Sequence, residues 1–487
     1  MNLSKSKYTR GFQCHKMLWL DINKPEVAKV IDNEAVFETG HEVGELAKNL
    51  FGKYTDIEFN KDLNQMIKDT DAAIKRGDKI ITEASFVYEN NFCSVDILVN
   101  NNNELEVYEV KSSTDLHDIY KEDISYQVYI LLSLGYKVKK ASIVYLNKNY
   151  VFHDKLDIKK LFVIDDITKY VLNNQESIKE NIEEIIKDCS KDEPDINIGY
   201  QCNNPYECPY FDYCTKNLIR PNIFDIRILP FKSKIKNYNN SIISYEDILK
   251  SDLNEKYIEQ AKYEIKDLKP KIEKDLIKDF LTTITYPIYF LDFETYQEAI
   301  PKYEGTKPFE QIPFQYSLHI LYEDGKLVHK EFLAEPDIDP RESLAKRLVE
   351  DIPKDVCSVA YNMSFEKNVI KKLAEVYPDL REHLLNIREN MKDLMIPFYK
   401  RWYYMKEMEG SYSIKYVLPA LFPNDPSLNY KNLPLVHKGD EASSTYKDLG
   451  NHTKEEQETI RHGLLVYCEL DTFAMVKIYE KLIEIIK

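Results

Sequence analysis

The sequence predicts an α/β protein with two separate α/β cores. In the first region, three strand-like runs precede a helix-like stretch and a further strand, at residues 79–88, 92–100, 104–113, 118–135 and 139–147. Asn-rich turns of hairpin character separate the three runs. A second pattern of this kind begins with the strand-like run 287–296. Strands and helices that follow one another in this way are typical of α/β folds.

The second pattern continues to the end of the chain. A hairpin is predicted with its turn at Asp324-Gly325, and a strongly helical stretch comes last. Thr453 is followed three residues later by Glu456, which is the spacing of a capping box at the start of that helix. The elements in between are the hairpin, a helix, a strand and a second helix, at 314–334, 340–351, 357–362 and 364–375.

The composition indicates a globular protein of two or three domains. The 487 residues are 43% hydrophobic and 30% charged, with no run of eighteen apolar residues and no signal-peptide pattern. We therefore expect a cytoplasmic protein with no membrane partner. The net charge of −16 argues against broad electrostatic coating of nucleic acid. It does not argue against a nuclease, because metal-dependent nuclease sites are built from carboxylates.

Two domains and a connector follow from these patterns. We predict the first domain over 1–220 and the second over 281–487. Residues 221–280 are Lys-rich and helix-prone, which indicates a helical connector. The segment 398–406 interleaves Lys and Arg with Trp and Tyr, a composition that can bind single-stranded nucleic acid. For this segment we prefer the interpretation of an aromatic helix packed on the core.

Three of the eight cysteines, Cys202, Cys208 and Cys214, fall within thirteen residues. Clustered cysteines indicate either a disulfide framework or a metal site. An odd triplet cannot pair internally, so a metal site needs a fourth ligand, and the best candidate is Cys14, almost two hundred residues away. Four thiolates suit a four-iron four-sulfur cluster, with a zinc ion as the alternative. Either would tie the start of the first domain to its end.

A first group of catalytic residue types lies on two neighbouring predicted strands. Asp96 is on one strand, and Glu109 and Lys111 share a face of the next. Two carboxylates can hold Mg²⁺ or Mn²⁺, while an ammonium can orient or help deprotonate a water that attacks a phosphodiester. Residues 34–51 are predicted to form a helix or a helical pair. In this stretch His41 lies one helical turn before Glu45, which is the spacing expected of a histidine ligand and its neighbour.

Gln127 lies on the following helix, where we expect it to reach a bound phosphate. This ordered set resembles the RecB-like branch of the PD-(D/E)xK nucleases over residues 1–220. The resemblance is strongest to the CRISPR-associated exonucleases and AddB-type subunits, which carry an iron–sulfur cluster. It implies a restriction-endonuclease-like fold and a supporting role for Gln127. It also implies a catalytic Lys111 and metal ligands from His41, Asp96, Glu109 and the backbone of Val110.

The chain departs from this pattern at two points. The related enzymes carry a Tyr four residues after the Gln, where this chain has Leu131, so Tyr126 or Tyr129 would substitute. The first two of the three clustered cysteines are also further apart here than is usual in those enzymes.

A second group of acids begins in the strand-like run 287–296. Asp292 and Glu294 share one face of an otherwise apolar strand, and burying them costs several kcal/mol per charge unless they bind cations. Glu366 follows a later strand and supplies a third carboxylate. Tyr467 and Asp471 lie one turn apart on the last helix.

The order of these residues resembles the DnaQ-like (DEDD) 3′→5′ exonucleases of the ribonuclease H-like fold, in the subgroup that uses tyrosine. Residues 287–483 also look like an uncharacterised domain family found behind RecB-like nucleases. The resemblance implies that Asp292, Glu294 and Asp471 bind two metal ions and that Tyr467 positions the attacking water. DnaQ-like enzymes carry Asp at the position of Glu366, which makes Asp393 a second candidate for this acid.

The sequence therefore predicts a two-site, metal-dependent nuclease that acts on DNA, at single-stranded ends, with RNA left open as a substrate. One alternative is a nucleic-acid-binding protein whose first site alone is active and whose second domain is a binding module. Another alternative is a non-catalytic scaffold that a zinc ion stabilises. This alternative does not explain why the acids, the lysine and the tyrosine occur in the order described above. The sequence does not identify protein partners.

Overall fold

The computed structural model describes residues 2–31, 34–102 and 104–487. Its helices and strands confirm the predicted α/β class. The chain forms two compact units, of which unit 1 comprises Met1–Leu218 and Glu298–Phe309, and unit 2 comprises Ile219–Gln297 and Glu310–Lys487. The segment 221–280, which we predicted as a connector, groups with unit 2.

Unit 1 is built on a mixed sheet. Its strands are β1 (Leu3–Ser4), β2 (Thr55–Asp56), β3 (Ile80–Tyr88), β4 (Asn91–Asn101), β5 (Glu104–Lys111), β6 (Lys137–Leu146) and β7 (Phe162–Asp166). The strand order is β2-β3-β4-β5-β6-β7, and β1 pairs in parallel with the start of β4. The strands β3, β4 and β5 are antiparallel neighbours, whereas β5 and β6 are parallel. These pairings bring β1 and β5 to the same central strand.

The helices of unit 1 are α1 (Lys5–Gln13), α2 (His15–Asn23), α3 (Glu34–Ala47), α4 (Leu63–Arg76), α5 (Asp118–Ser133), α6 (Ile158–Leu161), α7 (Thr168–Asn173), α8 (Gln175–Cys189) and α9 (Phe211–Thr215). A parallel pair of strands needs a crossover connection, and α5 supplies it between β5 and β6. It buries Ile124, Tyr126 and Val128 in the core of unit 1. Helix α1 starts directly after β1, where the Ser4 side chain accepts a hydrogen bond from the backbone N–H of Lys7.

The segment Glu298–Phe309 completes one hydrophobic core of unit 1. Ala299 is buried in that core, and Phe309 packs against it. The backbone N–H of Phe152 donates to the carbonyl of Thr306 at 2.9 Å. Unit 1 therefore takes core residues from a part of the sequence that lies between two strands of unit 2.

Unit 2 is built on a second mixed sheet with the order β11-β10-β9-β12-β13. Its strands are β9 (Ile288–Gln297), β10 (Gln311–Leu321), β11 (Leu327–Leu333), β12 (Cys357–Ala360) and β13 (Met391–Asp393). The first three are antiparallel, whereas β12 and β13 run parallel to β9. A separate short ladder joins β8 (Lys271–Ile272) to β14 (Tyr403–Tyr404). The predicted hairpin is confirmed, because β10 and β11 pair around a turn in which Gly325 has a φ of 85°.

The helices of unit 2 are α10 (Phe231–Asn239), α11 (Tyr245–Leu249), α12 (Glu255–Lys266), α13 (Lys274–Leu281), α14 (Arg341–Asp351), α15 (Ser364–Val376), α16 (Arg381–Glu389), α17 (Ile396–Tyr399), α18 (Ile414–Leu421), α19 (Gly439–Asp448) and α20 (Lys454–Ile486). The predicted capping box is confirmed, because Thr453 and Glu456 exchange side-chain to backbone hydrogen bonds at the start of α20. Among the described residues, no helix is both long and apolar enough to cross a membrane.

The prediction of an aromatic helix over 398–406 is partly wrong. Phe398 and Tyr404 are buried in the core of unit 2, as expected, but the helix ends at Tyr399. Arg401 stops it with a φ of 57°, and the buried guanidinium donates to the carbonyl of Gly410 at 2.6 Å. A residue in the left-handed region ends a helix, and Tyr403 and Tyr404 then form β14.

Candidate metal centres

The four cysteines that we predicted as one ligand set line a single small cavity in unit 1. Cys14, Cys202, Cys208 and Cys214 surround a space of about 20 Å³. Cys14 lies at the junction of α1 and α2, and Cys214 lies in α9. The structure therefore brings the distant Cys14 to the cysteine cluster.

A buried glutamine that we did not predict holds the cysteine segment against α1. The side-chain amide of Gln13 donates to the carbonyl of Gln201 at 2.8 Å and to that of Tyr206 at 2.7 Å. Burial and the neighbouring Cys202 and Cys14 together raise the pKa of the Cys208 thiol to about 12. These thiols are therefore protonated at neutral pH, and a metal or cluster would replace their protons.

The first acidic site lies in unit 1, where β4 carries Asp96 and β5 carries Glu109 and Lys111. All three residues line a cavity of about 260 Å³, together with the exposed residues His41 and Glu45 of α3. The backbone N–H of Val110 donates to a carboxylate oxygen of Asp96 at 2.7 Å. The structure thus places the predicted ligands around one cavity.

Lys111 and Gln127 both contact Glu109. The ammonium of Lys111 lies 2.7 Å from Oε1 of Glu109 and also pairs with Asp123, an acid that we did not predict. Gln127 is fully buried and donates from Nε2 to Oε2 of Glu109 at 2.6 Å. Gln127 therefore positions the carboxylate from behind, whereas we expected it to reach a bound phosphate.

Tyr126 and Tyr129, which we considered as substitutes for the tyrosine expected at Leu131, both pack in the hydrophobic core of unit 1. The hydroxyl of Tyr126 donates to the carbonyl of Leu3 at 2.7 Å, and its ring stacks on Tyr8. Tyr129 packs against the same core and contacts Tyr88 edge-on.

A second lysine enters this site from the amino-terminal strand and helix. The Nζ atom of Lys5 lies 2.9 Å from Oε1 of Glu109 and 3.7 Å from Oδ1 of Asp96. It reaches them because β1 pairs with the start of β4. The ammonium thus contacts both acids that we expect to bind a cation.

Burial and these lysines give the two acids different proton affinities. Burial and the charge of Glu109 raise the pKa of Asp96 to about 7. Burial alone would raise the pKa of Glu109 as well, but Lys111 and Lys5 hold it well below its ordinary value. Glu109 is therefore ionised at neutral pH, while Asp96 is partly protonated.

We expect Lys5→Met to strengthen Mn²⁺ binding in unit 1 about tenfold, or by ~1.4 kcal/mol, because it removes a cation that competes with the metal. Methionine keeps most of the apolar stem of the side chain. Calorimetric titration would measure the affinity, with Asp292→Asn in every protein to remove the acidic site of unit 2. Lys7→Met, on the exposed side of α1, is the matched control. An unchanged affinity with lost activity would show that Lys5 acts on the substrate instead.

The second acidic site lies in unit 2, where β9 meets the long helix α20. Asp292 and Glu294 of β9 and Asp471 of α20 each offer an oxygen, and the three oxygens lie within 4.8 Å of one another. The thiol of Cys468, one turn before Thr472, lies 3.8 Å from Oδ2 of Asp292. The structure brings together three acids that are up to 179 positions apart in the sequence.

Glu366 and Asp393, the two candidates for the further acid of this site, differ in the hydrogen bonds that their carboxylate oxygens accept. Glu366 is 3% exposed at the start of α15, and its Oε2 is one of the buried side-chain oxygens that have no hydrogen-bond partner in the described part of the chain. Asp393 accepts hydrogen bonds from the backbone N–H groups of Asn362, at 3.0 Å, and Met395, at 2.9 Å. Asp393 therefore holds a turn, and Glu366 is the acid with an oxygen available for a cation.

Two tyrosines complete this site. Tyr467 is buried, and its ring centroid is 6.0 Å from that of Tyr430. The hydroxyl of Tyr430 donates to Oδ1 of Asp471 at 2.6 Å. We did not predict Tyr430, since it lies in a short 3₁₀ helix (Tyr430–Asn432) with no spacing that relates it to Asp471.

The acids of unit 2 raise one another's proton affinity. Burial and the charges of Asp471, Glu366 and Glu294 raise the pKa of Asp292 well above its ordinary value. Burial raises the pKa of Asp471 to about 6, although Tyr430 and Lys415 lower it. Burial likewise raises the pKa of Glu366 to about 8. A group of buried acids in this state fits a divalent cation, which would compensate the charge that burial disfavours.

One comparison with known proteins concerns this region. Residues 289–413 match the model of a family described as Domain of unknown function (DUF2779). The match includes Asp292, Glu294 and Glu366, and it ends before Tyr467 and Asp471. No curated protein matches the chain.

Metal-free unit 2 should lose stability as the pH rises from about 5 to about 8. The pKa values of Asp471, about 6, and Glu366, about 8, lie above the ordinary carboxyl range, so stability present at low pH is lost as these groups ionise. We expect a loss on the order of 3 kcal/mol, since one pKa unit corresponds to about 1.4 kcal/mol.

Urea unfolding in EDTA at the two pH values would measure this change. Trp19→Phe leaves Trp402 of unit 2 as the remaining one of the two tryptophans, so its fluorescence follows that unit. Added Mg²⁺ should stabilise unit 2 more at the higher pH, and Asp471→Asn should reduce the pH dependence. A stability that is independent of pH would contradict the prediction.

Proposed function

We propose that the protein is a metal-dependent nuclease that hydrolyses phosphodiesters of DNA at single-stranded ends, with one site in each unit. The observation that carries this proposal is the convergence of Asp292, Glu294 and Asp471, together with the free buried oxygen of Glu366. Four acids of this kind suit Mg²⁺ or Mn²⁺, whose preferred ligands are oxygens. The cytoplasmic location expected from the sequence belongs to the same proposal.

In unit 2, Asp292, Glu294 and Asp471 would hold two divalent cations, and Glu366 would reach one of them directly or through water. Such cations activate an attacking water and stabilise the leaving oxygen of a phosphodiester. Burial raises the pKa of Tyr467 far above neutrality, so its hydroxyl keeps its proton. Tyr467 would therefore orient the attacking water by a hydrogen bond and would not act as a base.

The sheet of unit 2 supports a ribonuclease H-like fold. Numbered from β9, its strands have the order 3-2-1-4-5, with the first three antiparallel and the last two parallel to β9. Asp292 and Glu294 lie on the first strand, Glu366 at the start of α15, and Asp471 on the last helix, which is the chain order on which the resemblance to DnaQ-like exonucleases rests.

In unit 1, the cavity that joins Asp96, Glu109 and Lys111 supports a PD-(D/E)xK nuclease site. Burial lowers the pKa of Lys111, but Asp123 and Glu109 raise it more, so the side chain is an ammonium at neutral pH. Lys111 would therefore orient the water or balance the charge on the phosphate. His41 is an exposed residue that lines this cavity, and it would add an imidazole, a ligand that suits Mn²⁺ better than Mg²⁺.

The cysteine cavity supports a structural four-iron four-sulfur cluster in unit 1. Its donors are four sulfurs from Cys14, Cys202, Cys208 and Cys214, and soft thiolates select iron–sulfur clusters or zinc. The cluster would hold the end of α1 against the cysteine segment, where Gln13 already bonds it.

Degradation of end-labelled single-stranded DNA in Mn²⁺ or Mg²⁺ tests the proposed function. Wild-type protein should degrade the strand, EDTA should stop it, and the double variant Lys111→Ala, Asp292→Asn should be inactive. Parallel assays on duplex DNA and on RNA of the same sequence would define the substrate. Equal activity of wild-type protein and the double variant would contradict the proposal.

A further inference from the structure

A second group of ligand-type side chains lies in unit 2, outside the four acids. His319 of β10, His329 of β11 and Glu469 of α20 offer one ligand atom each, and these atoms lie within 4.8 Å of one another. The two histidines are cross-strand partners, and their ring centroids are 4.5 Å apart. Their hydrogen bonds determine which ring nitrogens remain available.

Two hydroxyl groups connect the imidazoles. Oγ1 of Thr472 lies 2.8 Å from Nδ1 of His319 and 2.7 Å from Oγ of Ser317, and it donates to the carbonyl of Glu469 at 3.1 Å. Oγ of Ser317 lies 2.9 Å from Nε2 of His329. The four contacts form one connected network of buried or partly buried groups.

One arrangement of protons satisfies all four contacts. The carbonyl of Glu469 can only accept a hydrogen bond, so the hydroxyl of Thr472 donates its single proton to it. Thr472 must therefore accept hydrogen bonds from Ser317 and His319. Ser317 then has no proton left for His329, whose Nε2 must carry one. Both histidines therefore hold a proton on the nitrogen that faces a hydroxyl.

When the histidines are neutral, the unprotonated atoms are Nε2 of His319 and Nδ1 of His329. The latter lies 3.7 Å from Oε1 of Glu469, so an electron pair faces a carboxylate oxygen. His319 is 3% exposed, and burial and the nearby His329 lower its pKa to about 4. His319 is therefore a neutral imidazole at neutral pH, the form that binds metals.

We propose that His319, His329 and Glu469 bind one divalent transition-metal ion, for which Zn²⁺ is the test ion. Two imidazoles with one carboxylate form a mixed nitrogen and oxygen ligand set that suits Zn²⁺ better than Mg²⁺, which prefers oxygen ligands alone. Thr472 and Ser317 fix the tautomers of the two imidazoles, as hydrogen-bond partners of metal-binding histidines do. The ion would fasten the β10–β11 hairpin to α20. The proposal does not depend on nuclease activity.

Zinc bound per molecule of full-length protein, measured by equilibrium dialysis and elemental analysis, tests this site. We expect His329→Ala to bind one Zn²⁺ fewer than wild type, because the cysteines and the four acids are unchanged in it. His437→Ala, a histidine beside Glu441, is the matched control and should bind as wild type does. Equal Zn²⁺ binding by wild type and His329→Ala would overturn the proposal, and would instead fit a protonated His329 paired with Glu469.

A second variant distinguishes the loss of a Zn²⁺ ligand from the unfolding of unit 2. The side chain of Glu469 is 48% exposed, so Glu469→Gln should fold normally and should weaken Zn²⁺ binding at this site about tenfold. Its melting temperature without metal should match that of wild type, and added Zn²⁺ should raise it less. A Zn²⁺ affinity in Glu469→Gln equal to that of wild type would also overturn the proposal.

Discussion

Asp292→Asn should reduce 3′→5′ degradation of single-stranded DNA by at least ~10²-fold, because it removes a ligand shared by the proposed cations. The loss should not come from unfolding. Burial and its neighbours raise the pKa of Asp292, so the protein already favours the neutral acid when no metal is bound, and asparagine imitates that form.

The matched control is Glu331→Gln, an exposed acid on β11 of the same sheet, which should leave activity unchanged. Lys111→Ala should spare the 3′→5′ activity and remove that of unit 1, because Lys111 belongs to a separate site. Loss of all nucleolysis on 3′-ended DNA and RNA in Lys111→Ala alone would contradict the two-site proposal. It would favour the alternative in which unit 2 only binds nucleic acid.

Cys208→Ser should remove the colour and the iron of anaerobically purified protein and lower the melting temperature of unit 1 by ~10 °C or more. Thiolate-to-iron charge transfer makes iron–sulfur proteins brown, and the free energy of binding a structural metal is also folding free energy. A loss of about 4 kcal/mol corresponds to such a shift in a unit of this size.

Trp402→Phe leaves Trp19 of unit 1, which packs against the small hydrophobic cluster that contains Cys208, as the fluorescence reporter for this measurement. Cys189→Ser is the matched control, since Cys189 is a buried thiol that bonds the carbonyl of His15 without lining the cysteine cavity. It should keep its iron. Stoichiometric zinc without iron in the wild-type protein would contradict the cluster and favour the zinc alternative.

Site residues could be predicted from the sequence where they lie close together on one strand or one helix. Glu109 and Lys111 are two residues apart on one strand, so a period of two places them on the same face, and their side chains meet at 2.7 Å. We did not predict Asp123, although it lies one helical turn before Gln127 and this spacing puts both residues on one face of α5. Lys5 had no local signal, because only the pairing of β1 with β4 brings it to Glu109.

The histidine pair could have been predicted from the hairpin. His319 and His329 are equally far from Asp324 in the predicted turn, and residues equidistant from a hairpin turn oppose each other across the strands. Glu469 could not have been added from sequence, because packing of α20 on the sheet depends on contacts across more than a hundred residues. Tyr430 and Asp471 are 41 positions apart, and no repeat or spacing in the sequence relates the 3₁₀ helix that carries Tyr430 to α20.

The position of the segment Glu298–Phe309 in the sequence determines when unit 1 can finish folding during synthesis. Domains usually fold from the amino terminus as they leave the ribosome. The core of unit 1 that contains Ala299 stays incomplete until β9, an element of unit 2, has been translated. A gene truncated after Leu218 would therefore encode a first unit without part of its interior, and separate expression would require residues 298–309 to be grafted back.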